Sequence, residues 1–239
     1  MPSGLDGNPD PIVTPQRTDV LEHAAGLVLN RRRDNKPFVV GIDGIDGSGK
    51  STFAGEVALL LTGEGLNVIR ATVDSFHQPQ RIRWRKGKRS PAGFYFDSHD
   101  LDALRCLLLD PFQAGAGSTY RTAAFDEPTD QPVEAPVETV VGDEVLLFDG
   151  IFLGRPELAD YWDLTIFLDG QARVNLGRLS HILADAPETG TDLVDHVLRW
   201  VERIDRYSSG MRLYLDTEDP QARADLVIDN NDLANPSVL

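Results

Sequence analysis

Short, mostly apolar or β-branched runs separated by helix-patterned stretches dominate the chain. Residues 38–42, 67–73, 145–148, 164–168 and 226–228 are the apolar or β-branched runs. They are too short and continuous to alternate apolar with polar, so they predict strands buried on both faces of a parallel sheet. Between them, Val20, Leu21, Ala24, Leu27 and Val28 recur at helical spacing and predict a helix over 18–33, with Thr18 or Asp19 as its N-cap. Phe53, Val57, Leu60 and Leu61 share one side of a helix over 52–62, which Gly63 and Gly65 stop. A third helix is expected over 100–109, ended by Pro111, and two more near 171–185 and 191–206. Residues 113–143 are rich in Gly, Pro, Thr and acids and predict loops with a short hairpin. This order predicts a three-layer α/β/α fold on a mainly parallel, five-stranded sheet. Residues 1–15 read as a flexible tail and 16–239 as a single domain.

The segment after the first strand carries the chemistry. It reads Gly44-Ile45-Asp46-Gly47-Ser48-Gly49-Lys50-Ser51-Thr52, a G-x-x-x-x-G-K-S phosphate-binding loop between a strand and a helix. Glycines let the backbone turn its N–H groups toward phosphate oxygens, and the following helix aims its positive end at the same anion. Lys50 adds charge toward the β- and γ-phosphates, and the Ser51 hydroxyl can ligate Mg²⁺. In parallel sheets ligands sit at the carboxyl ends of the strands. Asp74 follows the second strand and Asp149 ends the apolar run 145–148, so both fall at that edge. Asp74 is a site candidate by that position, or a turn aspartate. A carboxylate ending a buried strand is costly without a function or a partner, which singles out Asp149.

Composition narrows the partners. The formal net charge of −15 and pI near 4.6 argue against nucleic-acid binding. No apolar run approaches the ~20 residues a membrane span needs, and the amino-terminal segment has no signal-peptide pattern, so a cytoplasmic location is the default. The sole cysteine, Cys106, lies in an apolar helical run and reads as a buried thiol. Against the acidic background, Arg81, Arg83, Arg85, Lys86, Lys88 and Arg89 form a basic cluster. It is either a solvated loop or a surface that gathers anions beside the site. A GTPase switch would need N-K-x-D, whereas the only Asn-Lys pair, Asn35-Lys36, precedes the loop and runs into Pro37-Phe38.

Taken together, these segments resemble the uridine kinase and phosphoribulokinase group of P-loop kinases. Asp74-Ser75-Phe76-His77 is similar to the family's D-S-F-Y and D-S-F-H. Tyr95-Phe96-Asp97-Ser98-His99-Asp100-Leu101-Asp102 is similar to F-D-H-P-x-x-F-D. Leu146-Leu147-Phe148-Asp149-Gly150-Ile151-Phe152 resembles its apolar strand followed by E-G-I, and Ala224-Asp225-Leu226-Val227-Ile228-Asp229-Asn230 its closing strand. The resemblance implies a P-loop NTPase fold with a helical lid, here about 170–215, and ATP and Mg²⁺ as cofactors. It implies that Asp74 activates the acceptor hydroxyl, that Ser51 and Asp149 serve the metal, and that Arg173 and Arg178 close over the phosphates.

The expected reaction is phosphorylation of a hydroxyl on a small metabolite, with uridine or cytidine the first candidate. The uridine kinases' Y-D-F-x-T-H-S-R stretch corresponds here to Phe125-Asp126-Glu127-Pro128-Thr129-Asp130, which has no histidine. Phe76, His77, Arg83, Tyr95, Tyr120, Arg121 and Asp149 are the candidate acceptor contacts. The alternatives are a kinase of a sugar phosphate, pantothenate or another hydroxyl metabolite, and a non-catalytic regulatory P-loop protein. A homo-oligomer is left open.

Overall fold

The structure is a computed structural model that describes residues 13–171 and 191–239. Its centre is a six-stranded sheet in the order β10-β9-β8-β1-β7-β2. Its strands are β1 (Phe38–Gly44), β2 (Val68–Thr72), β7 (Val145–Asp149), β8 (Leu164–Asp169), β9 (Leu226–Asp229) and β10 (Ser237–Val238), and outside it β3 (Thr119–Tyr120) pairs with β6 (Glu138–Thr139) and β4 (Phe125–Asp126) with β5 (Gln131–Pro132). Within the six-stranded sheet all neighbours pair in parallel except β10, which runs antiparallel to β9. β10 is the strand beyond the five expected. It is two exposed residues with no apolar run to announce it, held by pairing of Ser237 with Asp229 and Val238 with Ile228.

Both faces of the sheet are covered, as continuous apolar strands require. On one face Val40, Ile42, Leu147 and Ile166 pack against Val20, Ala24 and Val28 of α1 (Pro15–Arg31) and Phe53, Val57 and Leu61 of α2 (Lys50–Gly63). On the other, Val39, Leu146 and Phe148 meet Phe94, Leu104, Leu108, Met211 and Tyr214. These come from α4 (Pro91–Asp97), from a helical run over 101–114, and from the long helix Thr191–Glu218.

Two helix boundaries differ from expectation for backbone reasons. α1 begins three residues early, because Thr14 rather than Thr18 is its N-cap and accepts from the Arg17 N–H at 3.1 Å. Pro15 then occupies a first-turn position where its missing N–H costs nothing. The third helix does not stop before Pro111 but runs from α5 (Leu101–Leu104) through a π-helical turn (Arg105–Leu109) into α6 (Asp110–Ala114). Pro111 cannot donate to the carbonyl four residues earlier, at Leu107. The Arg121 N–H fills that place at 2.8 Å. Cys106 is exposed, correcting the expected buried thiol: Leu104, Leu108 and Leu109 take the core side of this run and Cys106 faces away. The predicted helix near 171–185 falls almost wholly outside the described residues. The helix expected over 191–206 extends to Glu218, and the core packing of Met211 and Tyr214 fixes its far half.

Among the described residues no helix is long and apolar enough to cross a membrane.

Candidate active site

The phosphate-binding loop is assembled where β1 ends and α2 begins. Gly49 is the N-cap of α2 with φ of 90°, a left-handed conformation that favours glycine. A Cβ there would stand 3.0 Å from Asn230 Nδ2. A Cβ on Gly44 would fall 2.6 Å from the Leu168 carbonyl oxygen, so β8 also excludes a side chain there. Gly47 and the buried Ser48 complete the turn, with the Ser48 N–H donating to the Ile45 carbonyl at 3.1 Å. Asp46 lies half-buried between these glycines. The first backbone bond of α2 that closes on the loop runs from the Phe53 N–H to the Gly49 carbonyl at 2.9 Å, and the N–H groups of a helix's first turn are the ones an anion at its N-terminus meets. Lys50 Nζ donates to the Ile45 carbonyl at 2.9 Å, which keeps its charge on the loop.

Ser51 and Asp149 meet at this mouth. Ser51 Oγ donates to Asp149 Oδ2 at 2.7 Å. Asp149 is 3% exposed, and Arg70 stands 3.4 Å from its other oxygen while donating to the Ser51 carbonyl at 2.8 Å. Burial of this carboxylate is thus compensated by a hydroxyl and a guanidinium. A hydroxyl and a carboxylate side by side form a hard oxygen donor set, the kind Mg²⁺ takes while keeping waters. The residues present therefore fit a Mg-nucleotide.

Asp74 lies one strand over. Thr72, the last residue of β2, is in register with Asp149, and Asp74 follows two residues later in the 3₁₀ turn Val73–Phe76. Thr72, not Asp74, caps that turn: its hydroxyl accepts from the Asp74 N–H at 3.4 Å. The Asp74 side chain is left exposed at the carboxyl edge of the sheet. His77 Nδ1 donates to the Asp74 carbonyl at 2.8 Å, and the Ala124 N–H donates to the Ser75 carbonyl at 2.9 Å. The second contact brings the hairpin of β4 (Phe125–Asp126) and β5 (Gln131–Pro132) against the turn.

The other expected residues divide. Phe76, Tyr95 and Tyr120 are core residues at 0%, 2% and 3% exposure, which does not fit the acceptor contacts expected of them. Tyr95 and Tyr120 direct their hydroxyls to Glu218 and Glu138 at 2.7 and 2.8 Å. Arg121 is half-buried, with its backbone engaged beside Pro111. Arg83 is buried and ion-paired with Glu127 and Asp130. Arg85 and Lys86 both pair with Asp97, Arg89 pairs with Glu202, and Lys88 lies over the Trp84 ring. Burial would raise the Asp97 carboxyl, but its two cationic partners outweigh that and hold it below the usual range. Four of the six cluster cations, Arg83, Arg85, Lys86 and Arg89, thus face the chain's own acids. Arg173 and Arg178 lie outside the described residues.

Sequence reasoning missed Asp43, the residue before the loop. It is 6% exposed and accepts from Tyr214, from the Gly44 N–H at 2.7 Å and from the Gly154 N–H at 3.3 Å. Burial pushes its pKa up to about 6, against the opposing pull of Tyr214, the Gly44 N–H and the Lys50 charge. The signal was present: a carboxylate inside the run Val39-Val40-Gly41-Ile42-Asp43.

The profile of the Phosphoribulokinase / Uridine kinase family matches residues 39–230. The chain belongs to that family. A uridine kinase from Ligilactobacillus salivarius is 27% identical over 199 residues, covering 82% of this chain and 86% of the relative. A pantothenate kinase from Streptococcus thermophilus is 28% identical over 160 residues, covering 64% of this chain and 51% of the relative, so the chain spans about half that protein's length. Among solved structures, one described as a possible uridine kinase from Bacillus stearothermophilus superposes with TM-score 0.66 at 22% identity, covering 88% of this chain and 97% of the other. D-glycerate 3-kinase from Cryptococcus neoformans superposes with TM-score 0.56 at 14% identity, covering 92% and 99%. At these identities the structures speak for the fold. Family membership makes the protein a P-loop kinase of a small metabolite, and the family implies ATP use.

Proposed function

We propose that this chain is an ATP- and Mg²⁺-dependent kinase whose acceptor is a pyrimidine nucleoside, uridine or cytidine. The observation that carries the reading is that Asp74 follows two residues after β2, whose last residue Thr72 is in register with Asp149 of the Ser51–Asp149 pair. In this reading the Asp74 carboxylate accepts the acceptor hydroxyl's proton as its oxygen attacks the γ-phosphorus, and ADP leaves with the bridging oxygen. Lys50 and the loop N–H groups hold the β- and γ-phosphates, and Arg173 and Arg178 are the proposed lid cations. Ser51 and Asp149 would hold Mg²⁺, which would supply charge neutralisation to the transferring phosphate.

The pairing of most of the basic cluster with acids favours an uncharged acceptor over a sugar phosphate. An acceptor phosphate would need free cations, and Arg83, Arg85 and Lys86 already face carboxylates. The uridine kinase relative supports a nucleoside, and the pantothenate kinase relatives keep pantothenate as the second reading. A coupled ADP-release screen over nucleosides, sugar phosphates, pantothenate and glycerate tests the assignment. Turnover with uridine or cytidine well above the rest is expected; turnover confined to a phosphorylated sugar would overturn it.

A further inference from the structure

Around the proposed base stand two histidines to which the proposed mechanism gives no role. Asp74, His77 and His99 each place one potential ligand atom within 4.8 Å of the other two. His77 and His99 face each other across an antiparallel bridge, their ring centroids 4.7 Å apart. His99 is 5% exposed, and its Nε2 has no hydrogen-bond partner. A buried polar nitrogen left in that state calls for an explanation. The ring is neutral, because burial together with nearby His77, Arg155 and Arg83 holds its pKa well below the ordinary value. It therefore offers a lone pair rather than a charge.

We propose that Asp74, His77 and His99 form a binding site for a divalent transition-metal ion of the zinc class, distinct from the Ser51–Asp149 pair. Two imidazoles and one carboxylate are a borderline donor set that suits Zn²⁺ or Co²⁺ and is poor for Mg²⁺, which prefers oxygen. Because a carbonyl can only accept, His77 Nδ1 carries the proton in its bond to the Asp74 carbonyl. This leaves Nε2 as the ligating nitrogen and fixes the ring by its other N–H, the usual support of a metal-bound histidine. Bonds of about 2 Å to one ion set its ligand atoms no more than about 4 Å apart, and from within the 4.8 Å bound the exposed Asp74 and half-buried His77 side chains can close on the buried His99. The neighbouring guanidiniums do not forbid a cation: Arg83 is paired with Glu127 and Asp130, and Arg155 with Glu157. Three protein ligands leave a fourth position for water. The consequence for turnover rests on the kinase reading: metal on the Asp74 carboxylate removes the base, so the ion inhibits.

The test is titration of the full chain with Co²⁺, read by visible d–d absorption, with Zn²⁺ as competitor. A saturable tetrahedral band that Zn²⁺ abolishes and excess Mg²⁺ does not is expected. His77→Ala and His99→Gln should each weaken it about tenfold or more. Absence of the band, or a band indifferent to both substitutions, overturns the site. Should His99→Gln fail to fold, His77→Ala decides, since His77 is only half-buried. In a second arm ADP release is followed at buffered free Zn²⁺, each variant normalised to its own zinc-free rate. Inhibition that His77→Ala relieves is expected, and an intact band without inhibition overturns the consequence. Absence of turnover even without zinc, with the band intact, is failure of the kinase reading alone.

Discussion

Asn230, the residue after the last parallel strand, donates from Nδ2 to the Ser48 carbonyl at 2.6 Å across 182 positions of sequence. The same amide stands where a Cβ on Gly49 would crowd it, so the far end of the sheet holds the phosphate-binding loop in shape. Asn230→Ala removes a buried hydrogen bond of about 1 kcal/mol and should raise KM for ATP roughly five-fold, with a smaller effect on kcat. Steady-state kinetics at saturating acceptor measures this. An unchanged KM would mean that the loop keeps its geometry without the clamp.

Asp74 is exposed, and Thr72 caps its turn, so its substitution should leave the fold intact. Asp74→Asn is expected to lower kcat by about 10²–10⁴, the usual worth of a positioned base, while calorimetric affinity for Mg-ATP stays unchanged. Full activity in this variant would remove Asp74 from the chemistry.

Ser51 and Asp149 should act on the metal together. Asp149→Asn keeps the shape but loses the charge opposite Arg70, and Ser51→Ala loses the hydroxyl that touches it. Each is expected to raise the Mg²⁺ concentration for half-maximal rate by roughly tenfold. Because the two groups share one site, the double variant should fall short of the product of the single effects. Independent, multiplying effects would separate them.

Arg83 tests the basic cluster. It is buried, and its two carboxylate partners are themselves more than a third exposed. Water screens part of that pair, so Arg83→Met should cost about 2 kcal/mol, below the range for a fully buried ion pair. A lowered melting temperature with little selective change in acceptor KM is expected. A large rise in acceptor KM at unchanged stability would place the guanidinium on the substrate.

What the sequence revealed was local. The loop at residues 44–51, Asp74 after β2 and Asp149 at the end of β7 are each short patterns whose meaning lies within a few residues, and the parallel sheet follows from continuous apolar runs. What it concealed depends on distant partners. Arg83 looked like a free cation until Glu127 and Asp130 folded against it. Pro111 looked like a helix stop until the Arg121 amide filled its missing bond to Leu107. Tyr95 and Tyr120 carry polar tips that suggested substrate, yet Glu218 and Glu138 occupy those tips. Asp43 could have been flagged as a charge within an apolar strand, but its partner Tyr214 lies 171 positions away.

Asp43 gives the chain a pH dependence of definite sign. Its carboxyl is raised from 3.8 to about 6 by burial. Between those values the folded state binds a proton that the unfolded state has released, so this group's contribution is largest below the lower value and is lost as pH climbs through the upper one. The difference corresponds to roughly 3 kcal/mol at neutral pH. Asp43→Asn, neutral and of the same shape, should remove that slope. Relative to the variant, the native chain should lose stability as pH rises from about 4 to 6 and stay level above, measured by denaturant unfolding across the series. Parallel pH profiles for the two proteins would mean that Asp43 is held ionised, with its charge fully met by the Gly44 and Gly154 amides and Tyr214.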